Sequence, residues 1–181
     1  MSVKIIYFVH GTTTDNEKNV SSGWFDVELS DLWIKQSIDL KDQIKDKKID
    51  LVFCSDLKRA IHSAELTFKW EIEIIQDKRL RECNYGDFNA QSSDTVEPLQ
   101  EKNITERFPN GESYEDVKNR ITDFLNFLKE NYDGKSVAIV AHKAPQLALD
   151  VIIKWLTREE SFANDWRKRK ARQPGRDYIL E

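Results

Sequence analysis

Sulfur and imidazole are scarce in this chain of 181 residues, which has two cysteines, one methionine and three histidines. Cys54 and Cys83 are too few for a disulfide framework and lack the paired spacing of a zinc site, so two reduced thiols are expected. No apolar run approaches the roughly 20 residues that a membrane span needs, which excludes a bilayer-crossing helix. No secretory leader is expected either. Met1 to Val9 runs straight into a polar His-Gly-Thr segment, where a signal peptide needs a longer apolar stretch and a small-residue cleavage site, so a cytoplasmic location is expected. Excess positive charge is also absent: the formal net charge of −4 argues against a general nucleic-acid binder. One local exception is the cluster Arg167, Lys168, Arg169, Lys170, Arg172 and Arg176. It reads as a solvated helix face, with a rim that attracts an anionic substrate as the alternative.

What is present is the composition of a soluble protein, 39% hydrophobic and 33% charged, in a chain whose length suits one domain over residues 1–181. Ile5 to Val9 is a β-favouring run that stops at His10-Gly11-Thr12. Ser30 opens a helical stretch with Trp33, Ser37, Leu40 and Ile44 on one face. Ile49 to Cys54 reads as a buried strand, and Ser55 or Asp56 caps a helix whose Leu57, Ala60, Ile61, Ala64 and Phe68 point inward. Ile72 to Ile75 is a third apolar run. Residues 77–112 show no sustained period and carry an Asn110-Gly111 turn signal, and a long irregular segment in a compact domain is usually functional. Ser113 to Asp116 approximates a capping box before the stripe Val117, Ile121, Phe124, Leu125 and Leu128, which ends near Gly134. Ser136 to Ala141 is a strand that closes on His142. Pro145 suits the first turn of a last helix, with Ala148, Val151, Ile152 and Trp155 on its apolar side. No repeat or low-complexity segment is found.

Alternating strands and helices predict an α/β fold, a three-layer α/β/α sandwich with a mostly parallel central sheet that binds its ligand at the carboxyl ends of the strands. Two of the three histidines, His10 and His142, fall at such ends. With Arg59, Glu82 and Gly11 they make a candidate site, whereas His62 lies inside a helix and reads as ordinary.

At these residues the chain resembles the histidine phosphatase, or phosphoglycerate mutase-like, superfamily. That family's signature is Arg-His-Gly, and here the sequence is Val9-His10-Gly11-Thr12-Thr13-Thr14-Asp15-Asn16. Ser21-Ser22-Gly23-Trp24, with Asp26 and Leu29, is similar to the family's substrate loop. Cys54-Ser55-Asp56-Leu57-Lys58-Arg59-Ala60 resembles its second signature, and Leu80-Arg81-Glu82 with Tyr85-Gly86-Asp87-Phe88 its acid segment. Pro109-Asn110-Gly111-Glu112-Ser113 through Arg120 and then Val140-Ala141-His142 follow in family order, from about residue 4 to 156, and the likeness extends toward Gln173-Pro174-Gly175.

The resemblance implies phosphate-monoester hydrolysis through a phosphohistidine on His10, with no cofactor or metal. His10 would attack phosphorus with one ring nitrogen while a hydrogen bond holds the other. Arg59 would offer its planar fork to two phosphoryl oxygens, and His142 would be the protonated partner that balances charge. Glu82 would protonate the alcohol and later take a proton from water. Gly11 would let backbone pack closely behind the nucleophile. Asn16, Ser22 and Gly23 complete the expected phosphate contacts. Val9 departs from the family, because its arginine contacts the transferring group and losing one such donor costs about 10²–10³ in rate. Lys143 next to His142, or Arg176 or another of the C-terminal basic residues, would then supply the charge; the alternative is a phosphate-binding or regulatory protein that kept the fold and lost the catalysis. A mutase is expected less than a phosphatase, since family mutases carry a longer insertion after the acid segment. The expected partner is a small phosphorylated substrate, with specificity set by loops such as residues 89–112. Oligomeric state is left open, a dimer included.

Overall fold

A computed structural model describes residues 2–68, 72–165 and 175–181. In chain order its elements are β1 (Val3–Val9), α1 (Thr14–Glu17), β2 (Val20–Ser21), α2 (Asp31–Ile44), β3 (Leu51–Cys54), α3 (Lys58–Phe68) and β4 (Ile74–Gln76). They continue as β5 (Gln91–Ser92), α4 (Ser93–Val96), α5 (Tyr114–Asn131), β6 (Ser136–Ala141), α6 (Lys143–Ile153), α7 (Arg158–Ala163) and β7 (Arg176–Leu180). The central sheet has the order β4-β3-β6-β1-β7, with β2 and β5 forming a separate two-stranded ribbon. Four strands run parallel and β7 runs antiparallel beside β1.

Side-chain alternation on the strands builds the three layers. Ile5 and Tyr7 of β1, Leu51 and Phe53 of β3, and Val137 and Ile139 of β6 face one side, where Val117, Ile121, Phe124 and Leu128 of α5 and Leu147 and Ala148 of α6 cover them. Ile6, Phe8, Val52, Cys54, Ala138 and Val140 face the other, under Trp33, Leu40 and Ile44 of α2 and Ala64 and Phe68 of α3. Because both faces are buried, these strands read as near-continuous apolar runs. Ser113 caps α5 as its sequence suggests: its hydroxyl accepts from the Asp116 N–H, and the Asp116 carboxylate accepts from the Ser113 N–H.

Two expectations need correction. Trp155 does not join the apolar side of α6; the helix ends at Ile153, and Trp155 takes φ +57 and is 88% exposed. A left-handed residue just past a helix end leaves the helical face, so the periodicity that assigned it inward no longer applies. Arg176 is not at the site. It lies on β7, where it donates to the buried Asp150 carboxylate at 2.7 Å. Strand β7 itself was not anticipated, since its five residues mix charge with apolar side chains and its partner lies at the other end of the sequence. The basic residues 167–170 and 172, with Gln173 and Pro174, lie outside the described residues.

Candidate active site

β1 and β6 are neighbours in the middle of the sheet, and both stop at a histidine. The His10 N–H donates to Ala141 O at 2.9 Å, so the two strand ends are tied at the point where the side chains diverge. The His10 and His142 ring centroids lie 5.0 Å apart. His10 is half-buried, and its Nδ1 stands 2.7 Å from Gly11 O. A carbonyl accepts only, so this contact places the proton on Nδ1 and leaves Nε2 with its lone pair.

Gly11 has a packing reason for lacking a side chain. A Cβ there would collide with the Trp33 indole. The Gly11 N–H donates to Ser63 Oγ at 2.9 Å, and Ser63 Oγ donates to Arg59 O at 2.6 Å, so the loop that carries His10 is pinned to α3. Arg59 is 2% exposed, and its two terminal nitrogens donate to Gly23 O at 2.7 Å and Phe25 O at 2.9 Å. Burial lowers the Arg59 pKa, and the Glu82 carboxylate works against that shift. Gly23 has φ +54, and a Cβ would strike the Asn89 side chain, so glycine is required there on two grounds.

Glu82 is buried at the start of α6. Its Oε1 accepts from the N–H groups of Cys83 at 2.9 Å and Ala144 at 3.0 Å, and its Oε2 accepts from the Lys143 N–H at 3.1 Å. Its own carbonyl accepts from Trp24 Nε1 and from Arg120, which also binds Arg81 O and the Glu112 carboxylate. The segment around Glu82 is thus tied to α5 through Arg120, which does not line the cavity.

His10, Gly11, Asn16, Ser22, Gly23, Arg59, Glu82 and Lys143 all line one cavity of about 320 Å³. Val9 shares that wall. Asn16 Oδ1 is committed to the Thr13 N–H, which leaves its amide nitrogen to offer, and Ser22 Oγ donates to Asp15 at 2.8 Å. The Lys143 ammonium lies 3.2 Å from Gln100 Oε1, 3.5 Å from Asp165 and 3.6 Å from Glu97. Among the described residues, Arg59 and Lys143 are the cationic side chains on this wall.

His142 is placed differently from the rest. It is fully buried behind His10, and neither ring nitrogen has a hydrogen-bond partner among the described residues. Burial, followed by Arg59, His10 and Arg120, pushes its pKa well below the ordinary value, so the resting imidazole is neutral rather than protonated.

The sequence did not single out Tyr7, Ser93, Glu97 or Gln100. The last three line the cavity from within residues 89–112, where no periodicity marks individual side chains. Both cysteines are free and buried; burial pushes Cys54 up to about 12, which makes it a poor nucleophile. No described group of three or more histidine, cysteine, aspartate or glutamate side chains is placed to hold a metal ion, and no described helix is long and apolar enough to cross a membrane.

The sequence profile of the histidine phosphatase superfamily (branch 1) matches residues 6–171, and the chain belongs to that family. It is 32% identical over 146 residues to a 2,3-bisphosphoglycerate-dependent phosphoglycerate mutase of Cytophaga hutchinsonii, covering 74% of this chain and 68% of that one. The uncharacterized phosphatase PhoE of Bacillus subtilis is 30% identical over 146 residues, covering 77% and 72%. Among solved structures, a mycobacterial glucosyl-3-phosphoglycerate phosphatase in complex with VO3 superposes with a TM-score of 0.76 at 26% identity, covering 88% of this chain and 86% of that one.

Proposed function

We propose that this protein is a phosphomonoesterase of the histidine acid phosphatase type, working as one catalytic unit on small phosphorylated substrates rather than on nucleic acid or membrane. The observation that carries this reading is the single cavity shared by His10, Arg59 and Glu82, with the His10 Nδ1–H held by Gly11 O.

In this mechanism His10 Nε2 attacks phosphorus, the P–O bond to the alcohol breaks, and Glu82 delivers the proton that the alkoxide needs. Water then attacks the phosphohistidine, Glu82 takes its proton, and the N–P bond breaks to return His10 and release phosphate. Glu82 Oε2 carries that proton, because it accepts one backbone N–H where Oε1 accepts two. Arg59 grips the equatorial oxygens. His142 takes up positive charge once a phosphoryl dianion offsets the burial and the nearby cations that keep it neutral. Lys143 supplies the second wall cation in place of the arginine missing at Val9, while Asn16, Ser22, Gly23 and the Gly11 backbone complete the phosphate cradle.

The test is burst release of p-nitrophenol from its phosphate ester. Wild type is expected to show a burst and turnover, and His10→Ala neither. Glu82→Gln should slow alkyl phosphates far more than aryl phosphates with good leaving groups; equal slowing rejects the acid role. Val9 favours a second reading, a phosphate-binding protein without catalysis. Wild type that binds inorganic phosphate without any burst, with activity appearing on Val9→Arg, would establish that alternative.

A further inference from the structure

Tyr7 lies on β1, three residues before His10, and is 1% exposed. Its hydroxyl donates to His142 O at 2.7 Å and accepts from the His142 N–H at 3.1 Å. The first turn of α6 offers the same carbonyl a longer bond, 3.4 Å from the Gln146 N–H. A phenol that brackets the N–H and the C=O of one residue ties down the two peptide groups on either side of its Cα, and with them the direction in which its side chain leaves the backbone.

This hold on the His142 backbone matters because of what the ring lacks. Neither ring nitrogen is held by a described protein group, so no ring hydrogen bond among the described residues orients the imidazole. Ring placement therefore passes through the backbone, which Tyr7 holds. One strand carries both the nucleophile and this clasp: β1 presents His10 at its end, bound to Ala141 O, and reaches the next residue, His142, through Tyr7.

We infer that Tyr7 is a positioning residue for the reaction, with its hydroxyl setting the His142 imidazole at the 5.0 Å ring separation from His10. This rests on the phosphohistidine reading above. A small displacement of such a group is costly, since a misplacement of about 1 Å can lower a rate by about a hundredfold. The contact is specific to a hydroxyl, because phenylalanine would keep the ring and its packing on β1.

The experiment compares Tyr7→Phe with Tyr178→Phe. Tyr178 is also a buried strand tyrosine, and its hydroxyl donates to Asp150 at 3.0 Å, on β7 and outside the cavity. Tyr7→Phe is expected to lower kcat and the burst rate about ten- to hundredfold with KM for p-nitrophenyl phosphate little changed. Tyr178→Phe should leave both constants near wild type, even if its melting temperature falls as far. Spectra of protein carrying 15N-histidine give a readout without turnover: Tyr7→Phe should shift the His142 ring resonances and leave those of His62 in place. Equal kcat in Tyr7→Phe and wild type, or unmoved His142 resonances, overturns the inference while a wild-type burst keeps the catalytic reading. A wild type without a burst overturns that reading, and the spectra then decide the clasp alone.

Discussion

Gly11 shows how a single hydrogen in place of a methyl group can hold a site together. The residue has an ordinary backbone conformation, so alanine is excluded there by the Trp33 indole rather than by strain. Gly11→Ala is therefore expected to cost about 1–3 kcal/mol, as overpacking of a tight contact does, and to slow the burst by displacing His10. Chemical denaturation measures the first effect and rapid-quench kinetics the second. Adding Trp33→Leu should recover part of the stability; no recovery would place the fault elsewhere. His10, Arg59 and Glu82 were legible in the sequence because each stands in a short motif. Tyr7 was not, since in a run of Ile, Tyr, Phe and Val nothing distinguishes a tyrosine whose hydroxyl clasps another strand from one that packs. The resting charge of His142 was not legible for a related reason: motifs name the residue, whereas burial, with Arg59, His10 and Arg120 nearby, is what lowers its pKa.

Among the elements, α5 was the most legible, because its apolar stripe and its cap agree. Arg107 and the Ser113 N–H and hydroxyl hold the Asp116 carboxyl at about 2, so the cap keeps its charge through ordinary acid conditions. Ser113→Ala should cost about 1 kcal/mol, read as a lower urea midpoint with unchanged slope. Because Arg120 of α5 binds the Glu82 carbonyl, the same change should slow alkyl phosphate turnover if α5 frays, and leave it alone if only the first turn loosens. Residues 89–112 mark the opposite case. A two-residue strand and single helical turns repeat too little to leave a period, so the segment could be singled out as a candidate while its cavity-lining residues Ser93, Glu97 and Gln100 could not. For β7 the difficulty was length: five residues on an edge, two of them exposed, carry a weak signal until paired.

For the molecule as a whole, His142 makes stability depend on pH. In the unfolded chain it binds a proton near its ordinary value of about 6.5, while the folded site keeps it neutral well below that. The unfolded state then holds more protons, so stability falls as pH drops from about 7 through 6 and continues falling toward the depressed folded value. Melting temperatures from about pH 7.5 to about pH 5 should show this slope, and His142→Gln should flatten it. Saturating inorganic phosphate should also reduce the slope, because a bound anion lets the folded imidazole protonate. A slope unchanged by either would remove His142 from the account.

The position of β1 has a consequence during synthesis. Its neighbours are β6, from residue 136, and β7, from residue 176, so the strand that ends in His10 is made first and gains both partners late. A nascent chain that ends before Ser136 thus holds an apolar strand with neither edge satisfied, the kind of surface on which unfinished chains adhere to one another. Ribosome-stalled products ending before residue 136 should accordingly bind a trigger-type chaperone strongly, and release should follow emergence of Ser136–Ala141.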